Sequence, residues 1–444
     1  MISFGTDGIR GVANAELTPE LALALGVAYM SIVGSKSDVL IARDTRISGT
    51  MLSAALGAGL ASGGGNVIDV GVMPTGSLAF LCSSLGVPGA VISASHNPFF
   101  DNGIKIFGAG GRKLSDQEER DLERLLIEVG SSGVRERSSD VGAIVSQDLS
   151  RAYIDHVIEV VQGAFTKDIK VAVDFANGAS YPIAQHLLEA LGCKVVGSLG
   201  NDPDGYNINL DVGSTAPQRL AHLVQESGAD IGLAFDGDAD RLIAVSNMGE
   251  VVDGDNLLAL FALDMAERGV LAKDALAITV MSNMGLELYL QEKGIRCFRT
   301  NVGDRYVLEA MEEHALTLGG EQSGHIIFSQ YATTGDGLLS AALLLELIGR
   351  KQASFSDLLE GSFKRYPQVL KNLPVKGGKE ILGLPEVADA ISNLSGALGD
   401  RGRVLVRPSG TEPVVRVMVE ALTQELADEL ALQIEEIISS VTKE

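Results

Sequence analysis

The feature that most constrains this 444-residue chain is a rhythm in which short runs of Val, Ile and Ala recur between helical stretches. "DVLIARD", "NVIDVGV" and "GAVIS" are apolar almost throughout, without the in-out alternation of a sheet that keeps one wet face. They read as parallel strands covered on both faces by helices. Between them, "TPELALALGVAYMSIV" has a helix start at Thr18, an N-cap, and Pro19, the first helical position. The same strand, polar turn, helix and strand order restarts at "DIKVAVDFANGASYPIAQHLLEALGCKVVGS" and at "DALAITVMSNMGLELYLQEKGIRCFRT". Three α/β units follow, each with a polar turn at the carboxyl end of a strand, where open α/β sheets bind ligands. The last part differs. "VLKNLPVKGGKE", the helix "LPEVADAISNLSG", paired strands in "GRVLVRPSGTEPVVRVMVEA" and the helix "TQELADELALQIEEIISSVT" predict a small α+β domain. The expected domains are 1–150, 151–250, 251–365 and 366–444.

Charge narrows the partners. Lys and Arg number 35 against 58 Asp and Glu, a net −23, and such a field repels nucleic acid and anionic membranes while leaving room for a small anion in a local basic pocket. Cys82, Cys193 and Cys297 are odd in number, far apart and match no metal or redox spacing, which predicts a reducing, cytoplasmic compartment. "MISFGTDGIRGVAN" lacks the basic start and apolar segment of a signal peptide, and no apolar run is long enough to span a bilayer.

The chemistry concentrates in four turns. In "IGLAFDGDADRLIAVS", Asp236, Asp238 and Asp240 alternate between two apolar strands. Like charges so close call for a cation, and oxygen donors without His or Cys point to Mg²⁺ or Ca²⁺. An EF-hand loop is excluded, because its sixth and twelfth positions hold Arg241 and Asn247 instead of Gly and Glu. Three carboxylates leave such a site short of oxygens, and a phosphate on Ser95 would supply them. Ser95 is predicted at the very end of its strand, exposed, next to His96, Asn97 and Pro98, where backbone N–H groups can bind an oxyanion. "GGEQSGH" offers Glu321, Ser323 and His325 on a Gly-flanked loop suited to sugar hydroxyls. "RPSGTEP" sets Arg407 beside Ser409, Gly410 and Thr411 as a phosphate cradle.

"SASHNP" with "DNGIKIF", then "DGDADR", "GGEQSGH" and "RPSGTEP", in this order, resemble the four signature loops of the α-D-phosphohexomutase superfamily. The resemblance runs from "FGTDGIRG" to the C-terminal domain, and within the superfamily "FGTDGIRG", "VGDRYVLEAM" and Gln322 are closest to the branch that interconverts glucosamine 6-phosphate and glucosamine 1-phosphate. One stretch departs: "VMPTGSLAF" stands where the family carries something nearer "MPTPA". The resemblance implies three related α/β domains with mixed sheets around a central cleft, plus a C-terminal α+β domain of TATA-binding-protein type. It implies Ser95 carried as phosphoserine, one Mg²⁺ held by that phosphate with Asp236, Asp238 and Asp240, and glucosamine 1,6-bisphosphate as intermediate and activator. Lys105 and His325 are then expected to move protons and stabilise charge, with Arg10, Arg241 and His96 supporting the phosphoserine. Glu321 and Ser323 would bind the sugar, and Arg407, Ser409, Gly410 and Thr411 the distal phosphate. The product would feed UDP-N-acetylglucosamine and peptidoglycan precursors. The expected partner is a small phosphosugar, with no nucleic acid or membrane, and a homodimer stays open. A glucose- or mannose-phosphate mutase, or a silent sugar-phosphate-binding protein, remain alternatives on the residues alone.

Overall fold

Each apolar run forms a strand in the structure, a computed structural model that describes residues 4–5, 7–132, 140–161, 168–375, 377–408 and 414–442. The first sheet contains β1 (Ile9–Val12), β2 (Asp38–Arg43), β3 (Asn66–Val72), β4 (Gly89–Ile92), β5 (Asp101–Phe107) and β6 (Ile144–Ser146), in the order β1-β5-β4-β2-β3-β6. The second contains β7 (Lys170–Asp174), β8 (Lys194–Leu199), β9 (Ile231–Phe235), β10 (Leu242–Ser246) and β11 (Val251–Val252), in the order β11-β10-β9-β7-β8. The third contains β12 (Ala275–Thr279), β13 (Arg296–Thr300), β14 (Leu318–Gly320) and β15 (Ile326–Phe328), in the order β13-β12-β14-β15.

One motif repeats in all three. Parallel strands joined by helices fill the middle of each sheet, and then a strand turns back on itself: β4 into β5, β9 into β10, and β14 into β15. These pairs are antiparallel, so the parallel reading of the apolar runs holds for the sheet centres and fails at this edge. The reason is the short connection, too short for the helical crossover that a parallel partner needs. The three polar turns that carry "SASHNP", "DGDADR" and "GGEQSGH" are those connections. The fold is α/β with mixed sheets, as the resemblance implied.

Packing explains the glycine-rich helix that follows β2. Helix Ile47–Ser62 crosses helix Pro19–Val33 so closely that a Cβ on Gly59 would stand 2.1 Å from the Leu23 carbonyl oxygen, and one on Gly26 2.5 Å from that of Leu56. Thr18 caps the second of these helices through its hydroxyl, which accepts from the Leu21 N–H, with Pro19 in the first turn.

The chain divides into two compact units, residues 1–281 with 295–362 and residues 282–294 with 363–444. The second holds the antiparallel sheet of β16 (Gln368–Pro374), β17 (Gly402–Pro408) and β18 (Val414–Ala421), in the order β16-β18-β17. Val415, Val417 and Val419 face one side of β18 and pack with Ala427, Ala431, Ile434 and Ile438 of helix Gln424–Thr442, an i, i+4 stripe. Among the described residues no helix is long and apolar enough to cross a membrane.

Candidate active site

The β4–β5 turn does not sit as its sequence suggests. β4 ends at Ile92, and Ser95 lies beyond it in the left-handed region at φ 51°, only 1% exposed. The expected exposed serine on a strand terminus is therefore buried, because the loop folds inward against the β9–β10 turn. A Cβ on Gly237 would stand 2.4 Å from the Ser95 carbonyl oxygen, so only glycine permits that approach. Ser95 Oγ donates to Asp236 Oδ2 at 2.5 Å and lies 3.4 Å from His96 Nδ1.

The β9–β10 turn brings three carboxylates together. Asp236, Asp238 and Asp240 are buried, and each can offer an oxygen within 4.8 Å of the others. Four of their six oxygens are spoken for: Asp236 Oδ2 accepts from Ser95 and Asp236 Oδ1 from the Arg241 N–H at 3.3 Å, Asp238 Oδ2 accepts from Thr75 Oγ1 at 2.6 Å and from Lys105 Nζ at 2.7 Å, and Asp240 Oδ2 accepts from Lys105 at 3.4 Å. Asp238 Oδ1 and Asp240 Oδ1 are buried without a hydrogen-bond partner. Buried acceptors are costly to leave unpaired, and two beside a third carboxylate are donors waiting for a cation. Burial, then the neighbouring Asp240 and Asp238, push the Asp236 carboxyl up to about 8. Such crowding of oxygens, with no softer donor, fits a hard divalent metal ion.

Lysine 105 lies on β5, the second strand from the edge, and is only 1% exposed, so it is no solvated surface lysine. Burial works against its charge, but Asp238, Asp7 and Asp240 outweigh that and hold its pKa well above the usual range. Asp240 is the counterpart: burial pushes it up, and Lys105 and His325 hold it well below the carboxylate range. His325, 2% exposed, closes the cluster with Nδ1 3.6 Å from Asp240 Oδ2. Its Nε2 accepts from the Gly335 N–H at 3.0 Å, which in the neutral ring sets the proton on Nδ1, toward Asp240. Any Cβ at Gly335 would stand 2.4 Å from the imidazole.

Two guanidinium groups complete the positive side. Arg241 Nε lies 3.8 Å from Asp240 Oδ1 and 4.0 Å from Asp236 Oδ2, and Arg10 pairs with Asp7. Burial, then Arg241 and Arg10, hold His96 down to about 4, so His96 faces Ser95 as a neutral ring rather than a second cation. Next to this cluster, in the β14–β15 turn, Glu321 Oε1 accepts from the Gly303 N–H at 3.0 Å and Oε2 lies 3.5 Å from Ser323 Oγ. Gln322 Nε2 donates to Asp253 Oδ2 at 3.2 Å.

In the second unit Arg407 lies on β17 directly across from Arg416 of β18, and partial burial and that neighbour lower its pKa. Ser409, Gly410 and Thr411 lie outside the described residues. Sequence reasoning missed Arg416, which the strand register sets opposite Arg407. It also missed Asp7, inside the quoted "FGTDGIRG", which links Arg10, Lys105 at 3.3 Å and Lys113 at 2.5 Å. Thr75 was missed too, though it sits in the departing "VMPTGSLAF".

The four domain models of the phosphoglucomutase/phosphomannomutase family match the chain: α/β/α domain I at 1–133, domain II at 151–249, domain III at 253–366 and the C-terminal domain at 370–437. A phosphoglucosamine mutase of Shouchella clausii is 48% identical over 440 residues, covering 98% of both chains. One of Desulforamulus reducens is 46% identical over 437 residues, covering 96% of this chain and 98% of that one. Among solved structures, a phosphoglucomutase/phosphomannomutase family protein from Burkholderia thailandensis superposes with a TM-score of 0.82 at 27% identity, covering 99% of this chain and 98% of that one. Aspergillus fumigatus N-acetylphosphoglucosamine mutase, in complex with GlcNAc-6P and magnesium, has the same fold, with a TM-score of 0.72 at 17% identity over 100% of this chain and 96% of that one. The chain belongs to the phosphoglucosamine mutases of the phosphoglucomutase/phosphomannomutase family, and it is an isomerase of the phosphohexomutase class.

Proposed function

We propose that this chain interconverts glucosamine 6-phosphate and glucosamine 1-phosphate, with Ser95 as phosphoryl carrier. The observation that carries the reading is Ser95 Oγ, 2.5 Å from Asp236 Oδ2 at the edge of a carboxylate cluster that keeps two oxygens without a hydrogen bond. Phosphoryl transfer asks for positioning and charge neutralisation, and this site offers both.

Asp236, Asp238 and Asp240, together with a phosphate on Ser95, would hold Mg²⁺, which when bound neutralises charge on the transferring group. Ser95 gives its phosphoryl group to the free sugar hydroxyl: the bond from phosphorus to Ser95 Oγ breaks, a bond to the sugar oxygen forms, and the hydroxyl proton leaves to a base. His325 would take that proton on Nε2 by giving up the Gly335 N–H it accepts at rest, and Lys105, held among carboxylates, would supply positive charge beside the reacting oxygens. Arg10 and Arg241 would support the phosphoserine, with His96 as a neutral neighbour. Glucosamine 1,6-bisphosphate is the resulting intermediate, and its other phosphoryl group returns to Ser95 after it turns over. Glu321 and Ser323 serve the sugar hydroxyls. Arg407, with Ser409, Gly410 and Thr411, serves the phosphate that is not reacting. The division into domains 1–150, 151–250, 251–365 and 366–444 belongs to the same proposal, and the family-domain matches support it.

Side-by-side kcat/KM on glucosamine, glucose and mannose 1-phosphates, with peptide mapping of the purified protein, tests the reading. The expected results are a preference for the aminosugar and phosphate on Ser95. A preference for glucose or mannose would overturn the substrate, and phosphate on Ser93 would overturn the carrier.

A further inference from the structure

Beneath Ser95 lies a layer of buried polar groups that no part of the reaction above uses. Arg46, 2% exposed, reaches under the turn and donates from Nη2 to the Ser95 carbonyl at 2.9 Å and the Asn97 carbonyl at 2.8 Å. Its Nη1 donates to the Asp101 carbonyl at 3.1 Å and to the Pro98 carbonyl. Its Nε donates to Asp44 Oδ2 at 2.8 Å. That carboxylate, 1% exposed, also accepts from Ser93 Oγ at 2.5 Å, and Ser93 Oγ accepts from the Ser95 N–H at 2.9 Å. A second clamp comes from the loop after β8, where Asn209 Nδ2 donates to the same two carbonyls, Ser95 at 2.9 Å and Asn97 at 3.1 Å.

The main-chain N–H and C=O of Ser95 are thus both held by side chains, and its carbonyl is held twice. This matters because φ is 51° at Ser95, a conformation that a serine keeps only where its surroundings over-determine it. Released, the residue would fall back to the ordinary right-handed or extended regions and swing Oγ away from Asp236. Arg46 has spent its charge on loop carbonyls and Asp44, which sets it apart from Arg10 and Arg241, whose Nε atoms are buried without a hydrogen-bond partner.

We infer that Arg46 and Asn209 are positioning residues for phosphoryl transfer: from two domains they lock the Ser95 peptide in the left-handed conformation and so aim its Oγ at the carboxylate cluster. Neither touches the phosphosugar. The inference rests on Ser95 as the phosphoryl carrier. Loss of either clamp lowers the fraction of enzyme with Ser95 correctly aimed, so it lowers kcat and leaves substrate binding in place.

The test uses the full-length enzyme and the variants Arg46→Lys, Asn209→Gly and, as a control, Arg43→Lys. Glycine suits position 209, whose φ is 58°, so that change removes the amide without backbone strain. The control lies on β2, and its side chain pairs with Asp69 of β3 at 2.7 Å instead of with the carbonyls of the loop. Readouts are kcat and KM separately, and the ³¹P resonance of phosphoserine 95. Arg46→Lys is expected to lose about 10²-fold in kcat, and Asn209→Gly about tenfold, with KM within about twofold and a shifted or broadened resonance in both. The control keeps kcat, KM and resonance. Should Arg46→Lys fail to fold, Asn209→Gly decides alone, since its side chain comes from a partly exposed loop. An Asn209→Gly enzyme with phosphate on Ser95, unchanged kcat and an unmoved resonance overturns the positioning role alone. A wild-type enzyme that turns over with no phosphate on Ser95 overturns the carrier and the positioning together.

Discussion

Asp238 and Asp336 are both buried carboxylates in the first unit, both bonded by a hydroxyl group, yet their surroundings finish differently. Thr75 Oγ1 and Lys105 Nζ take Asp238 Oδ2, and Oδ1 has no partner. Around Asp336 every oxygen is engaged: Oδ1 accepts from Tyr153 OH at 2.8 Å and from the Leu339 N–H at 3.0 Å, and Oδ2 accepts from Tyr153 OH at 2.9 Å. The same hydroxyl spans both oxygens, and the carboxylate caps helix Gly337–Lys351. Burial alone therefore does not mark a functional acid. What separates the two is unfinished hydrogen bonding, which costs stability unless a ligand completes it, against a closed network that holds elements together.

The sharpest break would come at Asp238. Asp238→Asn keeps the shape and the Thr75 contact but removes a charge the metal needs, and kcat should fall by about 10²- to 10³-fold. Its melting temperature should stay near wild type, because like-charge crowding with Asp236 and Asp240 is relieved at the same time. Steady-state assays across Mg²⁺ concentrations, alongside a thermal melt, check both halves. An enzyme with wild-type Mg²⁺ response would remove Asp238 from the ligand set.

A smaller effect is expected one shell out. Thr75→Val deletes the hydroxyl that orients Asp238 while keeping the branched shape, and should raise the Mg²⁺ concentration for half-maximal activity by about 10- to 100-fold, with kcat at saturating metal largely restored. Magnesium titration of activity measures this. A loss of kcat that saturating metal does not restore would mean that Thr75 acts on something other than the metal ligand.

The legibility of these two acids in the sequence was uneven. Asp238 stood out because its partners Asp236 and Asp240 are neighbours in the chain, and because all three ligand-rich turns fall where a parallel strand hairpins into an antiparallel one. The α/β rhythm and the small C-terminal domain were legible for the same reason, since each element carries its own periodicity and caps. Contacts between distant segments were not. Thr75, Arg46, Asp44 and Asn209 act only through folding, and the left-handed Ser95 gives no local sign beyond a polar turn. Gly76 is instructive: it lies in the departing "VMPTGSLAF", and a Cβ there would stand 2.5 Å from the Asp336 carboxylate. That glycine leaves room for an acid far along the chain.

On the closed side of the comparison, Tyr153→Phe keeps the ring, which is fully buried, and removes only the hydroxyl. Asp336 would be left with the Leu339 N–H and one oxygen unpaired, at a cost of about 1–3 kcal/mol in unfolding free energy. Activity per folded molecule should persist. Urea unfolding and a specific-activity assay separate the two. A Tyr153→Phe enzyme as stable as wild type would mean that the hydroxyl network carries no net stability.

The smallest effect is the most specific. Burial raises the Asp336 pKa, although the Leu339 N–H and the Tyr153 hydroxyl pull it down. For an acid whose folded pKa is raised, the stability linked to it is fully present below the unfolded carboxylate range and is lost as pH rises through the folded value. Tyr153 limits that loss, because its O–H stabilises the ionised carboxylate. Without the hydroxyl the folded pKa climbs further and the loss grows. The stability deficit of Tyr153→Phe should therefore be larger at high pH, measured at about pH 8, and shrink by about 1 kcal/mol as pH falls toward the unfolded carboxylate range, measured at about pH 4, because a carboxyl that gains its proton needs the donor less. Urea midpoints of both proteins at the two pH values measure the difference. A deficit of equal size at both would mean that the hydroxyl contributes through packing, and Asp336 would then be no closed counterpart to Asp238 but simply another buried acid whose charge the fold tolerates.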